Sequence, residues 1–301
     1  MTSYRSTQKQ AKHLVVKLAS HGTSRFKNKC SDEVVGITSL ATEKKYRSCI
    51  KQFLDYLIHE NLSTTPEKIS SEIAENFLHY KSHTCVQKTI DGYRQSISMV
   101  FGFKLNHVAS RVATILVPRS YSLEQIENLR EYAKPQLNFS IKLAAFCGLR
   151  SIELDTIAPI NEQREDSRDW LQERFLGVEN PVEYTVIGKG GLCRKICLPL
   201  SLSMELEQFR LPSVIRKTQR EIHYQKYYSI LGGQCYAQQF SRLSFRLFSW
   251  STGSHGLRHR YAKNRIIYLQ SQEEFLWNFA LKIVAQEMGH FSTKNTLTYM
   301  R

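Results

Sequence analysis

Apolar residues keep a helical period through the first third of the chain, and the period changes to that of paired strands only once, far downstream. Tyr46, Ile50, Phe53, Leu54 and Leu57 recur at helical spacing, with Lys44, Lys45, Arg47 and Lys51 off the stripe. A second helix is expected from about Pro66, with Ile69, Ile73 and Phe77 as its stripe. Val86, Ile90, Tyr93, Ile97 and Val100 mark a third, whose other face carries Gln87, Lys88, Asp91, Arg94 and Gln95. Segments this short are unstable alone and must pack together. Residues 36–112 therefore read as a small helical bundle. Its Lys-, Arg- and Gln-rich faces suit phosphate contact and equally suit plain solvated surface. The first 30 residues hold seven Lys/Arg and no acid, and read as a basic arm or a short helix over residues 6–19.

Pro118 disfavours helix at Val117 and marks a domain boundary. The expected division is an arm or extension at 1–35, a helical domain at 36–117 and a second domain at 118–301. Ser122 opens a helix with Glu124 and Gln125 near its start, as in a cap. An apolar helix over about 139–146 ends at Gly148. Residues 182–187 read as a strand, Gly188-Lys189-Gly190-Gly191 as a turn, and 192–198 as a second strand. Residues 201–250 are mixed and aromatic, and helices plus loops are expected there.

Charge narrows the partners. The 301 residues carry 42 Lys/Arg against 27 Asp/Glu, a net of +15. It is uneven: residues 153–183 carry a net of −6 and residues 189–265 a net of +11. A cationic face neutralises phosphates and gains from counterion release, which points to nucleic acid. No apolar run approaches the roughly 18–20 residues of a membrane span, and the N-terminus lacks the apolar stretch of a secretory signal. Seven cysteines without paired spacing argue against a disulfide scaffold and for a reducing, cytoplasmic setting. Cys193 and Cys197 read as packing residues. His255 and His259, four apart on a helix, are the nearest thing to a metal pair, but no acid stands between them. No metal and no cofactor is expected.

Four motifs stand in a telling order: Gly148-Leu149-Arg150 with Glu153 three residues on, the Gly188–Gly191 turn around Lys189, His255-Gly256-Leu257-Arg258-His259, and Met288-Gly289-His290 with Tyr299 nine residues after the histidine. Together they resemble the tyrosine site-specific recombinases, the phage-integrase and Xer-like family. The resemblance is strongest over residues 120–301. It implies a mainly α protein: an all-helical, SAM-like core-binding domain, then a mixed α+β catalytic domain with a small antiparallel sheet.

The resemblance also implies a chemistry. Tyr299 would attack a DNA phosphodiester, giving a 3′-phosphotyrosine and a free 5′-hydroxyl without ATP. Arg150 and Arg258 would clamp the non-bridging oxygens, because guanidinium offers a planar, permanently charged fork. Glu153 would orient Arg150. Lys189 would be the acid for the leaving oxygen, with Arg194 and Lys195 as nearby alternatives. His255 would share the tyrosine proton, and His290 would donate to a non-bridging oxygen. Lys44, Lys45, Arg47, Lys51, Lys88, Arg94, Arg194, Lys195 and Arg260 are the expected DNA contacts.

The expected partner is double-stranded DNA with inverted half-sites, bound by a homodimer, with a homotetramer in synapsis. Strand exchange would run through a Holliday junction. An accessory DNA-bending or directionality protein fits the same picture, and the integrase of a mobile element is the expected role. Other readings are a dimer resolvase, a strand transferase resembling type IB topoisomerases, or a silent DNA-binding protein of the same fold. The sequence ends two residues beyond Tyr299, where relatives usually continue into a tail that docks on a neighbouring protomer. Exchange of such a tail is therefore not expected of these residues.

Overall fold

The computed structural model describes residues 6–21, 36–188, 190–219 and 222–300. The chain forms two compact units, one ending at Ile115 and the other starting at Leu116. Among the described residues, no helix is long and apolar enough to cross a membrane.

The first unit is helical. α1 (Thr7–Val16) packs on α2 (Leu40–His59), and a single 3-10 turn at Pro66–Lys68 precedes α3 (Ser71–Ser82) and α4 (Gln87–Phe101). Pro66 opens only that turn, and the helix proper starts five residues later at Ser71, where its cap Ser70 accepts from the Ile73 amide. Gly102, at φ +74°, ends α4 in the left-handed conformation that glycine adopts without strain. The expected stripes face one core: Ile50, Phe53, Leu54 and Leu57 from α2, Phe77 from α3, and Ile90 and Ile97 from α4 are all buried. Ala11 and Val15 of α1 join that core, so residues 7–16 are a packed helix. Phe77 contacts the rings of Phe53 and Tyr93 at 5.1 and 5.2 Å between centroids, and burying such a ring contributes roughly 1.5–3 kcal/mol.

The second unit mixes helices with two small antiparallel sheets. α5 (Leu123–Glu131) starts in a capping box between Ser122 and Gln125, and α6 (Pro135–Cys147) runs four residues further N-terminal than its apolar run because Pro135 can occupy a first helical turn. A 3-10 turn (Glu153–Thr156) leads to β1 (Ala158–Pro159), β2 (Pro181–Ile187) and β3 (Cys193–Pro199), which pair in the order β1-β2-β3. β2 and β3 are antiparallel with Ile187 opposite Cys193, and the Gly188 amide closes the turn onto the Leu192 carbonyl at 2.8 Å. α7 (Leu200–Glu207) follows. Residues 210–228 then correct the expectation of helices and loops, because β4 (Arg210–Gln219) and β5 (Ile222–Tyr228) form a two-stranded ribbon. α8 (Gly233–Phe248), α9 (His255–Ser271), α10 (Trp277–Glu287) and the short α11 (Thr293–Leu297) complete the unit. A large core spans α5 to α9 and the three-stranded sheet, and a second core joins α9 to α10 and includes Tyr299.

Candidate active site

Gly148 ends α6 at φ +59°, and a side chain there would strike the ring of Tyr261. The chain turns sharply and brings Arg150 over the 3-10 turn that carries Glu153. Arg150 Nη1 donates to Glu153 Oε1 at 2.6 Å, and the Arg150 amide donates to Oε2 at 2.9 Å. Glu153 is wholly buried and also receives Arg194 Nη2 at 2.9 Å, with Arg258 Nη1 at 3.7 Å. Burial alone would raise this carboxyl strongly. The guanidiniums of Arg194, Arg258 and Arg150 outweigh it and hold Glu153 down at about 2.

The first turn of α9 places His255, Arg258 and His259 on one face, at helical spacing. Arg258 is fully buried, and each of its three nitrogens has a partner. Nη1 donates to the Gly148 carbonyl, Nη2 to the Met288 carbonyl, and Nε to the Tyr299 hydroxyl at 3.4 Å. Burial and the neighbouring Arg150 and Arg194 lower it to about 10 despite Glu153, so it stays charged near neutrality.

Tyr299 follows α11 and is 6% exposed. Its hydroxyl lies 3.0 Å from His255 Nε2. Guanidinium can only donate, so the tyrosine oxygen accepts from Arg258 and its own proton points to His255. His255 is exposed as a residue, but its ring packs on those of Tyr299 and His259, 5.1 and 5.7 Å away between centroids, which desolvates the imidazole. That desolvation, reinforced by Arg258, His259, Arg150 and Arg119, lowers His255 to about 4, so it is neutral and able to accept a proton. His259 is buried and bonds the Tyr299 carbonyl through Nδ1 at 3.2 Å. The carbonyl can only accept, which places a proton on His259 Nδ1.

His290 Nε2 lies 2.9 Å from Arg150 Nη2 and 3.3 Å from Arg258 Nη2. Two cationic donors make Nε2 the acceptor, so Nδ1 carries the proton toward Thr296 Oγ1 at 3.0 Å. Burial, then Arg258, Arg150 and Arg194, lower His290 to about 3. This histidine therefore accepts from the two arginines, and donation from Nε2 requires the other tautomer.

The structure thus brings Arg150, Glu153, His255, Arg258, His290 and Tyr299 into one cluster. Lys189 lies outside the described residues. Its neighbour Gly188 backs onto the cluster, since a side chain there would come within 3.0 Å of Glu153 Oε1 and 3.6 Å of Arg150 Nη1.

The expected DNA contacts divide. Lys44, Lys45 and Lys88 are exposed, and Lys45 lies over Gly92, which brings the basic faces of α2 and α4 side by side. Arg47 pairs with buried Glu43, Lys51 with Asp55 at 2.6 Å, and Arg94 comes within 4.0 Å of Asp91. Lys195 pairs with Glu183 at 2.6 Å, and Arg260 is half-buried. Arg194 is a correction: at 1% exposure it cannot touch DNA, because Glu153 and the Glu287 carbonyl draw its guanidinium inside. Among the described residues, no three His, Cys, Asp or Glu side chains cluster as metal ligands would. Cys193 and Cys197 are both buried on one face of β3.

Sequence reasoning missed His259, Thr296 and Glu287 as parts of this site. Glu287 is wholly buried, holding Arg265, the Tyr261 hydroxyl and the Phe175 amide. Its one signal was position, an acid closing an apolar helix directly before Met288-Gly289-His290.

Comparison of the fold finds XerH site-specific recombinase bound to difH substrate in a pre-cleavage complex, at TM-score 0.55 and 15% identity, covering 100% of this chain and 94% of that one. XerH bound to palindromic difH in a post-cleavage complex matches at TM-score 0.57 and 16% identity, covering 98% and 90%. The fold is that of the tyrosine site-specific recombinases. No protein-family model matches the sequence, and no curated protein matches it. The recombinase fold accounts for the expected layout: helices first, then mixed helices with a small antiparallel sheet.

Proposed function

We propose that the chain is a tyrosine recombinase that cuts and rejoins DNA, the integrase of a mobile element. The observation that carries this reading is the Tyr299 hydroxyl, 3.0 Å from the His255 imidazole and 3.4 Å from a buried guanidinium. A buried tyrosine that only packs needs neither a base nor a cation at its oxygen.

The reaction follows from these groups. Tyr299 Oη attacks the phosphorus, and its proton passes to His255 Nε2. Charge grows on the non-bridging oxygens, where Arg150, Arg258 and, in its other tautomer, His290 donate to them. The bond to the 5′-oxygen breaks, and that oxygen takes its proton from Lys189. The products are a 3′-phosphotyrosine and a 5′-hydroxyl. Attack by the 5′-hydroxyl of a second strand reverses the sequence and releases the tyrosine. The link conserves the bond energy, so no nucleotide is spent.

XerH, of the same fold, is known in complexes before and after cleavage of its difH substrate. For this chain the same reading gives a dimer on inverted half-sites, a tetramer in synapsis and exchange through a Holliday junction. The exposed lysines of α2 and α4 would hold phosphates on the same duplex. Covalent capture from a pool of nicked duplexes of random sequence tests the proposal. Wild type should become trapped on a subset of duplexes and Tyr299→Phe on none, while both bind DNA alike, since one hydroxyl adds little to a phosphate-dominated interface. An adduct with the Phe variant would remove Tyr299 from the nucleophile's role. No adduct with wild type would leave a DNA-binding protein of this fold.

A further inference from the structure

We propose that Arg194 is a positioning residue for strand cleavage, a buried tie between three separate parts of the catalytic cluster; the inference rests on the recombinase reading above. Its Nη2 donates to Glu153 Oε2 at 2.9 Å, and its Nη1 to the Glu287 carbonyl at 2.6 Å. Glu153 holds Arg150 through both its side chain and its amide. Glu287 is the last residue before the turn that carries His290, and Gly289 in that turn has no room for a side chain, because a Cβ would lie 2.9 Å from Arg194 Cδ. Arg194 itself sits on β3, paired with Val186, three residues beyond the Gly188–Gly191 segment that contains Lys189. One side chain therefore connects the strand of the proposed acid, the carboxylate behind one clamping arginine, and the turn of the second histidine.

The residue type fits that task. The two acceptors are met by the two arms of one planar fork, which an ammonium cannot offer with the same geometry. The Nε nitrogen finds no partner, a cost that simple filling of the core would avoid by using an apolar side chain. Arg194 also differs from Arg258 in its partners: both its Nη groups are taken by Glu153 and the Glu287 carbonyl, whereas Arg258 reaches the Tyr299 hydroxyl through Nε. It neutralises the carboxylate without being drawn to the substrate. The charged groups facing Glu153 are Arg150, Arg194 and Arg258. Without Arg194, Glu153 would compete with the scissile phosphate for the other two and would take up a proton more readily.

The test is single-turnover adduct formation between pH 5 and 8, on the duplex captured by wild type. Arg194→Met should slow it about 10²-fold, the size expected when a clamp shifts by about 1 Å, with DNA affinity unchanged. The loss should shrink toward pH 5, where Glu153 takes up a proton and no longer competes for the arginines. Adding Glu153→Gln should recover about tenfold, because the unbalanced charge is then gone. A rate within threefold of wild type overturns the proposal. So does an equal loss at every pH with no recovery in the double variant, which would mean a purely structural role. If Arg194→Met does not fold, Arg194→Lys is measured the same way. It should keep the wild-type pH profile and lose rate, and an unchanged rate overturns the proposal. Adduct formation by wild type with an insensitive Arg194 defeats this inference alone, whereas no adduct from wild type defeats the recombinase reading with it.

Discussion

The two units of this chain spend buried space differently. The helical unit buries Ile50, Phe53, Leu57, Phe77 and Ile97, and the one deeply buried acid among its described residues, Glu43, sits beside Arg47 and His21. The second unit, the catalytic one on the function proposed above, buries Glu153, Glu287, Arg194, Arg258, His259 and His290 close to one another. An apolar core gains from every methylene removed from water, whereas each buried charge costs several kcal/mol before its partners offset it. The difference separates a unit held by apolar packing from one that holds charged groups against one another. It also says where each should fail.

The largest expected effect falls on the cluster. Arg258→Lys keeps the charge and loses the fork that meets Gly148, Met288 and Tyr299 at once. Adduct formation should fall about 10²–10³-fold, as when a preorganised donor to a developing anion is removed, while affinity for DNA changes little. A rate within threefold of wild type would show that the buried charge matters and its geometry does not.

Next comes a core truncation in the other unit. Phe77→Ala leaves a cavity beside Phe53 and Tyr93 and should destabilise the helical unit by about 3–5 kcal/mol. All three tryptophans, Trp170, Trp250 and Trp277, lie in the catalytic unit. Thermal unfolding followed by tryptophan fluorescence should therefore stay near wild type, while helical circular dichroism loses an early component. If both signals shift together, the units unfold as one body and the contrast between them has no energetic meaning.

Acid should reverse the order. His255 and His290 are held near 4 and 3 against an ordinary 6.5. The unfolded chain binds those protons first, so the catalytic unit loses stability as pH falls below about 6.5, until each histidine protonates in the folded state. Glu153, at about 2 against 4.5, gives stability that is full above 4.5 and is lost from there down to about 2. Each of these shifts acts in the same direction. In the helical unit, Asp55 is lowered: burial works against its ionisation, but bonds from Lys51 and Thr7 outweigh it, and its loss begins only below the ordinary carboxylate value. In an acid titration, tryptophan fluorescence should therefore change at a higher pH than the part of the helical signal that α1 to α4 supply. The opposite order would mean that His255 and His290 are not neutral.

Much of this was legible in the sequence, for a reason that differs by element. The helices of the first unit and the β2–β3 pair each bury one face, and burial writes a period into the residues. The β4–β5 ribbon was not legible, because Pro212, Ser213, Val214, Ile215 and Arg216 are all exposed and no alternation is imposed on them. In the site, the order of arginine, histidine and tyrosine motifs was readable because each is local. Arg194 was misread because a charged residue on a strand looks like surface. Its burial depends on a carboxylate 41 residues away, which no local pattern records. His259 was weighed as a metal ligand for the same reason: its partner is the Tyr299 carbonyl, 40 residues on.

The smallest effect tests the comparison most finely, because the same change can be made in both units. Ser39 caps α2, accepting from the Thr42 amide at 3.1 Å. Ser122 caps α5, accepting from the Gln125 amide at 3.1 Å, while Gln125 Oε1 accepts from the Ser122 amide at 2.9 Å. Serine to alanine removes a hydrogen bond from an otherwise unpaired helical amide, at a cost of about 1 kcal/mol in either place. Ser122→Ala also frees Gln125 from its reciprocal bond and should be the more costly of the two. Neither serine touches the catalytic cluster, so adduct formation should match wild type for both. Only Ser122→Ala should move the tryptophan transition, by a few degrees at most, and Ser39→Ala should move the helical signal alone. A shift of the tryptophan transition by Ser39→Ala would show stability passing from the helical unit to the catalytic one, and the two cores would then have to be treated as one cooperative structure.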